Sequence, residues 1–250
     1  MYPQLLVSVR DLPEFQLAIS AGVQWIDLKN PDRGSLGRPD PELTNQLIQT
    51  IRNTQFRNFR TSIALGELND LDLNSIATGI TEFDYAKVAL AQCDANSLQF
   101  EKISQLASQF SSSNRLILVH YADWRSVGAP SFERVLDWAR QLGSQFILID
   151  TCRKSSGNLL GLYSLKILHE LIAQTHQVGI SISLAGSLSV RDLIELAPYN
   201  PDVLAVRGAA CTVGLRTNGL CEDRLRQLLQ LSQLGFVDRS LCTTDVQLQE

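Results

Sequence analysis

The chain has 250 residues, 44% of them hydrophobic, and its formal net charge is −4. A chain of this length can bury a substantial core without disulfides or structural metals. The slightly acidic balance, without a long basic run, argues against a dedicated nucleic-acid-binding protein. No apolar run approaches the ~20 residues of a membrane span, so we expect neither a nucleic-acid nor a membrane partner.

Short apolar runs alternate with longer amphipathic segments along the whole chain. The apolar runs predict strands at Leu5–Val9, Trp25–Lys29, Thr61–Leu65, Tyr85–Val88, Leu116–His120, Phe146–Asp150, Ile180–Ala185 and Val203–Arg207. The segments between them predict helices at Pro13–Ala21, Pro41–Arg52, Leu71–Thr78, Ala95–Phe110, Ser131–Leu142, Gly161–Gln177, Val190–Leu196 and Glu222–Leu234. This alternation predicts a parallel sheet that is covered by helices.

No linker interrupts the eight strand–helix units, so we expect one (β/α)₈ TIM barrel over residues 1–234, followed by a tail over residues 235–250. An open sheet is the alternative, but a dinucleotide-binding version would need a GxGxxG turn after the first strand. That turn contains no glycine. In Ile180–Ala185, bulky residues alternate with small ones, which predicts one face against helices and one inside a crowded barrel.

The five cysteines are scattered and form no CxxC pair, which favours reduced thiols over a zinc site. The first residues lack the basic and apolar regions of a secretory signal. We therefore expect a cytoplasmic protein that needs no metal and no cofactor. The sequence leaves open whether the barrel forms a homo-oligomer.

Charged and polar residues gather at the carboxyl ends of the predicted strands, where barrel enzymes build their active sites. They are Asp27, Lys29, Lys87, His120, Asp150, Lys154 and Arg207. A set of structural ion pairs is the alternative interpretation, but burying several charges costs free energy unless each is paired. His120 is the weaker candidate, because a lone histidine at a strand end is as often a hydrogen-bonded wall residue.

The three lysines suggest a particular chemistry. A neutral lysine amine attacks a carbonyl carbon to form a Schiff base, and neighbouring cations favour the neutral amine. Asp27 and Asp150 could orient the lysines or carry protons.

The last two predicted strands end in Ala185-Gly186-Ser187 and Arg207-Gly208-Ala209. Barrels often bind phosphate after strands seven and eight, where backbone N–H groups meet the anion. Gly186, Ser187, Arg207, Gly208 and Ala209 are therefore candidate ligands of a substrate phosphate, although ordinary turn glycines would give the same pattern. The predicted partner is a small phosphorylated carbonyl compound.

Several motifs, in this order and spacing, carry a family resemblance. They are Leu5–Val9, Asp27-Leu28-Lys29-Asn30-Pro31, Gly34-Ser35-Leu36-Gly37, Lys87, Asp150-Thr151-Cys152-Arg153-Lys154, Ala185-Gly186-Ser187 and Val206–Cys211. Together they resemble the (5-formylfuran-3-yl)methyl phosphate synthases, also called 4-(hydroxymethyl)-2-furancarboxaldehyde phosphate synthases. The resemblance extends to about residue 232.

The resemblance implies a lyase that condenses two molecules of glyceraldehyde 3-phosphate, an early step toward the furan of methanofuran. It implies that Lys29 forms the Schiff base, that Lys87 accepts a proton, and that Asp150 and Lys154 support the chemistry. Two alternatives stay open: a related class I aldolase or isomerase for another phosphosugar, and a non-catalytic barrel that binds a phosphometabolite.

Overall fold

The computed structural model describes residues 2–54, 58–76, 80–93, 96–110, 112–153 and 157–236. Its strands form one closed parallel barrel in chain order, which confirms the predicted fold. The strands are β1 (Gln4–Val9), β2 (Trp25–Leu28), β3 (Arg60–Glu67), β4 (Tyr85–Ala89), β5 (Leu116–Tyr121), β6 (Phe146–Asp150), β7 (Ser181–Leu184) and β8 (Val203–Val206). Every predicted strand is present, with ends that differ by at most two residues.

Helices cover the outside of the barrel. The described α-helices are α1 (Leu12–Ala21), α2 (Pro41–Asn53), α3 (Ser97–Ala107), α4 (Trp124–Val127), α5 (Phe132–Leu142), α6 (Leu159–Leu162), α7 (Leu165–Gln177), α8 (Val190–Leu196) and α9 (Glu222–Gln233). None of them combines the length and the apolar character needed to cross a membrane. Residues 237–250 lie outside the described part of the chain, so the division into a barrel and a tail stays a prediction.

The predicted helix Leu71–Thr78 is wrong over its described residues. Residues 71–76 carry only a 3₁₀ turn, Leu73–Ser75. The Asp72 carboxylate caps this turn by accepting a hydrogen bond from Asn74 N. Short polar side chains of this kind bond to nearby backbone and so compete with an α-helix. Thr78 lies outside the described residues.

The predicted helix Gly161–Gln177 is interrupted. Tyr163 is extended, and the Ser164 hydroxyl accepts a hydrogen bond from Ile167 N, so a new helix begins at Leu165. Serine is a preferred N-cap, and this capping signal inside an otherwise periodic segment marks the break.

The short helix α4 was not predicted from the sequence. It ends at Gly128, which has a left-handed conformation.

The strands separate two apolar layers. On β7, Ile182 and Leu184 face outward and pack with the helices, whereas Ala185, just beyond its end, belongs to the layer inside the barrel. On β3, Ile63 and Leu65 face outward and Ala64 inward. This arrangement confirms the alternation predicted from the sequence, because successive side chains of a strand point to opposite faces.

An aromatic cluster fills the amino-terminal end of the barrel interior. The rings of Trp25, Tyr85 and Phe146, each at or near the start of its strand, lie with centroids 5.1 to 5.3 Å apart. Rings in such tilted and edge-to-face arrangements attract one another beyond their area of burial. This aromatic plug closes the amino-terminal end of the interior.

A buried ion pair fastens β8 to α1. Arg207, directly after β8, places Nη1 2.8 Å from Oε2 of Glu14 on α1, and both side chains are less than 10% exposed. Its Nη2 lies 3.2 Å from the other carboxylate oxygen. The two-pronged geometry matches a guanidinium to a carboxylate, which is the stronger form of such a pair.

We expect Glu14→Ala to lower the free energy of unfolding by about 3–5 kcal/mol, because it leaves the Arg207 guanidinium buried without its counter-charge. Urea denaturation measures the change. Glu195→Ala is the matched control: it breaks the exposed Arg191–Glu195 pair on α8 and should cost less than about 1 kcal/mol. Equal losses in the two variants would show that the Glu14–Arg207 pair does not hold the barrel.

Candidate active site

A cavity of about 830 Å³ opens at the carboxyl ends of the strands. The predicted site residues among its lining are Asp27, Lys29, Lys87, Asp150, Gly186, Ser187, Arg207, Gly208 and Ala209. The structure therefore brings together residues from β2, β4, β6 and the loops after β7 and β8. Lys154 lies outside the described residues.

Lys87 and Asp27 form an ion pair inside the barrel. Lys87 Nζ lies 2.9 Å from Asp27 Oδ1, and the two side chains are only 3% and 2% exposed. In the strand register, Lys87 sits opposite Ala64, whose small side chain leaves room in the interior. Two further donors reach the same carboxylate: Ser62 Oγ at 2.7 Å and Ser8 Oγ at 3.1 Å.

Lys29 follows the end of β2 and begins the β2–α2 loop (residues 29–40). Its side chain is half-buried, and Nζ donates a hydrogen bond of 3.2 Å to the carbonyl oxygen of Ser35. The Gly34-Ser35-Leu36-Gly37 motif shapes this loop. Gly34 has a φ of +98°, which favours glycine, and a Cβ on Gly37 would collide with the carbonyl oxygen of Asn30.

The same loop is tied to the end of β6. Ser35 Oγ lies 2.5 Å from the carbonyl oxygen of Thr151 and 2.9 Å from that of Cys152. Asp150, at the end of β6, is buried and accepts a hydrogen bond of 2.7 Å from Thr151 N. The carbonyl contacts of Ser35 therefore hold Lys29 and Asp150 on neighbouring parts of the cavity rim.

The turns after β7 and β8 line the cavity and contain backbone N–H groups without a described acceptor. Gly186 and Ser187 have φ values of +110° and +55°, and Gly208 begins a 3₁₀ turn, Gly208–Ala210. The N–H groups of Gly186, Ser187, Gly208 and Ala209 donate no hydrogen bond to any described residue. Such uncommitted donors at the end of a strand suit an anion.

Arg207 is already saturated with protein acceptors, contrary to the expectation that it contacts a phosphate. Besides Glu14, its guanidinium donates to the carbonyl oxygens of Ser8, Arg216 and Asn218. These contacts use all five N–H groups of an arginine. Arg207 therefore shapes the loop after β8 and keeps no donor for a ligand.

His120 points away from the cavity. It lies on the helix-facing side of β5, where its ring packs edge-on against Phe132 and Nε2 lies 2.9 Å from the hydroxyl of Tyr163. Burial lowers the pKa of the imidazole to about 4. This environment favours the wall-residue interpretation of His120.

Several polar residues of the site carry no clear signal in the sequence. Ser8 and Ser62 fix Asp27, and Asp123 accepts hydrogen bonds of 2.8 and 2.9 Å from Cys152 N and Arg153 N at the start of the loop after β6. The one sequence signal for Ser8 and Ser62 is the alternation of bulky and small residues along their strands, which places both serines on the interior face. Among the described residues, no three His, Cys, Asp or Glu side chains could share a metal ion.

A closed parallel barrel with a buried lysine–aspartate pair and open N–H groups at its carboxyl-terminal end has the design of a barrel enzyme. Solved barrels share this fold. Phosphoribosyl anthranilate isomerase from Thermus thermophilus aligns with a TM-score of 0.60 at 17% identity, over 92% of this chain and 99% of its own. A 3-hexulose-6-phosphate synthase aligns with a TM-score of 0.57 at 15% identity, over 90% and 98%.

The chain belongs to the 4-HFC-P synthase family, an enzyme family whose sequence profile matches residues 5–229. The (5-formylfuran-3-yl)methyl phosphate synthase of Methanococcus maripaludis strain C7 is 31% identical over 235 residues, which cover 91% of this chain and 98% of the relative. The enzyme of that name from Methanocaldococcus jannaschii is 31% identical over 228 residues, covering 88% and 95%. These matches confirm the family resemblance found in the sequence.

The low pKa of His120 predicts a pH dependence of stability. Between about pH 6.5 and pH 4 the unfolded chain binds a proton at His120 that the folded chain does not, so the free energy of unfolding falls as the pH falls through this window. The contribution is up to about 3 kcal/mol. Chemical denaturation at pH 7, 5.5 and 4 should show a shallower decline for His120→Gln than for the wild type, and parallel curves would contradict the assignment.

Proposed function

We propose that this protein condenses two molecules of glyceraldehyde 3-phosphate into (5-formylfuran-3-yl)methyl phosphate, with loss of one phosphate and of water, as a step toward a methanofuran-type furan. The observation that carries the proposal is that one cavity holds Lys29, the Lys87–Asp27 pair and the open turns after β7 and β8. Membership of the 4-HFC-P synthase family supports the choice of reaction.

Lys29 is the proposed Schiff-base residue. Its neutral amine adds to the aldehyde carbon of one substrate molecule, and the carbinolamine then loses water to give the imine. The protonated imine draws electrons from the neighbouring carbon, so that carbon more readily releases a proton. The half-buried position of Lys29 beside the cavity gives Nζ access to the substrate while limiting its contact with water.

Lys87 is the proposed proton acceptor. Because Nζ lies 2.9 Å from Asp27 Oδ1, a proton can pass from the ammonium group to the carboxylate. The resulting neutral amine accepts the proton that leaves carbon. The Ser8 and Ser62 hydroxyls keep the carboxylate in place during this exchange, and Asp150 on the neighbouring rim is a second group that can carry a proton.

The turns after β7 and β8 are the proposed site for a substrate phosphate. The N–H groups of Gly186, Ser187, Gly208 and Ala209 supply the donors, and Arg224, in the first turn of α9, lines the same cavity. Arg224 forms no ion pair with any carboxylate in the described part of the chain, so its charge is available to an anion. It takes the role that the sequence suggested for Arg207.

Product analysis tests the proposed reaction. The purified chain is incubated with glyceraldehyde 3-phosphate, and the mixture is examined by mass spectrometry and by an assay for inorganic phosphate. We expect a furan aldehyde that carries one phosphate, together with an equal amount of inorganic phosphate. A six-carbon product that keeps both phosphates would instead indicate a class I aldolase.

Borohydride trapping locates the imine. Reduction in the presence of glyceraldehyde 3-phosphate should leave a stable adduct on the peptide that contains Lys29, because borohydride converts the imine into an amine that cannot be hydrolysed. Peptide mass mapping reads the site, and Lys29→Arg should abolish the adduct. An adduct confined to Lys154 would assign the nucleophile to that residue.

Lys87→Arg separates proton transfer from structure. Arginine keeps the positive charge beside Asp27, but its guanidinium does not lose its proton at ordinary pH and cannot act as a base. We expect turnover to fall by about 10²–10⁴-fold while thermal denaturation shows a folded protein. Lys166→Arg, on the exposed side of α7, is the matched control and should keep full activity. An active Lys87→Arg enzyme would place the base elsewhere.

A further inference from the structure

Arg216 crosses the mouth of the cavity. It lies on the β8–α9 loop (residues 207–221), and its Nη2 donates hydrogen bonds of 2.8 Å to the carbonyl oxygens of Pro31 and Gly34 on the β2–α2 loop. At its backbone end, its own carbonyl oxygen accepts a hydrogen bond of 2.6 Å from Arg207 Nε. The side chain is therefore fixed at both ends, with its head next to the site.

Arg216 and Lys29 are held by consecutive carbonyl groups. Gly34 O accepts from Arg216 and Ser35 O accepts from Lys29, so the two cationic groups are neighbours on one stretch of loop. Both side chains line the cavity. The positive φ of Gly34 sets the direction of the carbonyl group that holds Arg216. This glycine of the Gly-Ser-Leu-Gly motif therefore shapes the loop and also positions Arg216.

Arg216 has no direct ion-pair partner among the described residues, although Asp150 and Asp32 attract its charge from farther away. Unlike Lys87 and Arg207, it forms no ion pair with a carboxylate in the described part of the chain. Its Nε and Nη1 groups donate to no described residue, which leaves three N–H donors uncommitted. Burial lowers the pKa of the guanidinium, and the Asp150 carboxylate opposes that change. A half-buried cation without an ion pair costs free energy that a bound anion would recover.

We propose that Arg216 forms a second phosphate-binding site, distinct from the turns after β7 and β8, for the phosphate of the substrate molecule that reacts with Lys29. The inference rests on the proposed function, because a reaction of two phosphorylated trioses brings two phosphates into the cavity. The turns after β7 and β8 hold one of them. Arg216 holds the other beside Lys29, with its free N–H groups donating to the phosphate oxygens.

Crystals of the full chain soaked in inorganic phosphate test the site without requiring turnover. We expect phosphate density within hydrogen-bond distance of Arg216, and separate phosphate density at the turns after β7 and β8. Arg216→Gln should lose the first and keep the second. Arg10→Ala is the matched control, because Arg10 anchors the same loop through the carbonyl of Thr217 but does not line the cavity. It should keep both.

Absence of phosphate density at Arg216 in the wild type would overturn the inference. So would an equal loss of that density in Arg10→Ala, because it would show that the position of the loop matters and the Arg216 guanidinium does not. Kinetics give an independent readout: Arg216→Gln should raise the KM for glyceraldehyde 3-phosphate by about 10- to 100-fold, while Arg10→Ala stays within about twofold. Failure of the wild type to make the furan would sink the proposed function but leave the phosphate density unaffected.

Discussion

Lys87 and Asp27 face each other across 2.9 Å in the barrel interior, where neither side chain is more than 3% exposed. Removing two charges from water costs several kcal/mol for each ion, and the attraction between them offsets this cost only when further hydrogen bonds complete both groups. Ser62 supplies one such bond, and its hydroxyl also accepts a hydrogen bond from the indole of Trp25. Trp25 of the aromatic plug thus orients the Ser62 hydroxyl, which in turn orients the Asp27 carboxylate.

This pair constrains the strands around it. Asp27 is in register with Ser8 on β1 and with Ser62 on β3, and Lys87 is in register with Ala64. A shift of one residue would turn these side chains to the helix-facing layer, because successive residues of a strand alternate in direction. The strand register is therefore specified twice. The hydrogen bonds inside β1 to β4 require it, and so does the apolar layer outside these strands.

The three arginines that line the cavity fall into two groups. Arg207 is paired with Glu14 and saturated by loop carbonyls, so it builds the rim. Arg216 and Arg224 line the cavity without an ion pair among the described residues. The division between paired and unpaired charge separates the arginine that shapes the site from those whose charge is available to an anion. It follows from contacts between loops far apart in the chain.

The sequence predicts the barrel well because its information is local. Apolar runs of fixed period and the alternation on β3 and β7 depend on neighbouring residues, and so does the placement of Asp27, Lys29, Lys87 and Asp150 at strand ends. The two wrong helices have local causes, the capping side chains of Asp72 and Ser164. The errors in the site depend instead on contacts that no local pattern contains. Arg207 looks like a phosphate ligand beside Gly208, and only the approach of Glu14 from α1 shows that it is occupied. Arg216 carries no local motif, and its place near Lys29 comes from carbonyl groups more than 180 positions away.

We propose that the buried Lys87–Asp27 pair is kept for its chemistry and not for stability. Replacing both residues by apolar ones of similar size, Asp27→Leu with Lys87→Met, tests it most directly when urea denaturation and turnover are measured together. Lys87→Met alone should cost about 3–5 kcal/mol by stranding a buried carboxylate, and the double replacement should recover most of that loss. We predict a folded double variant with no detectable turnover; a double variant that turns over glyceraldehyde 3-phosphate, or one no more stable than Lys87→Met, would contradict the account.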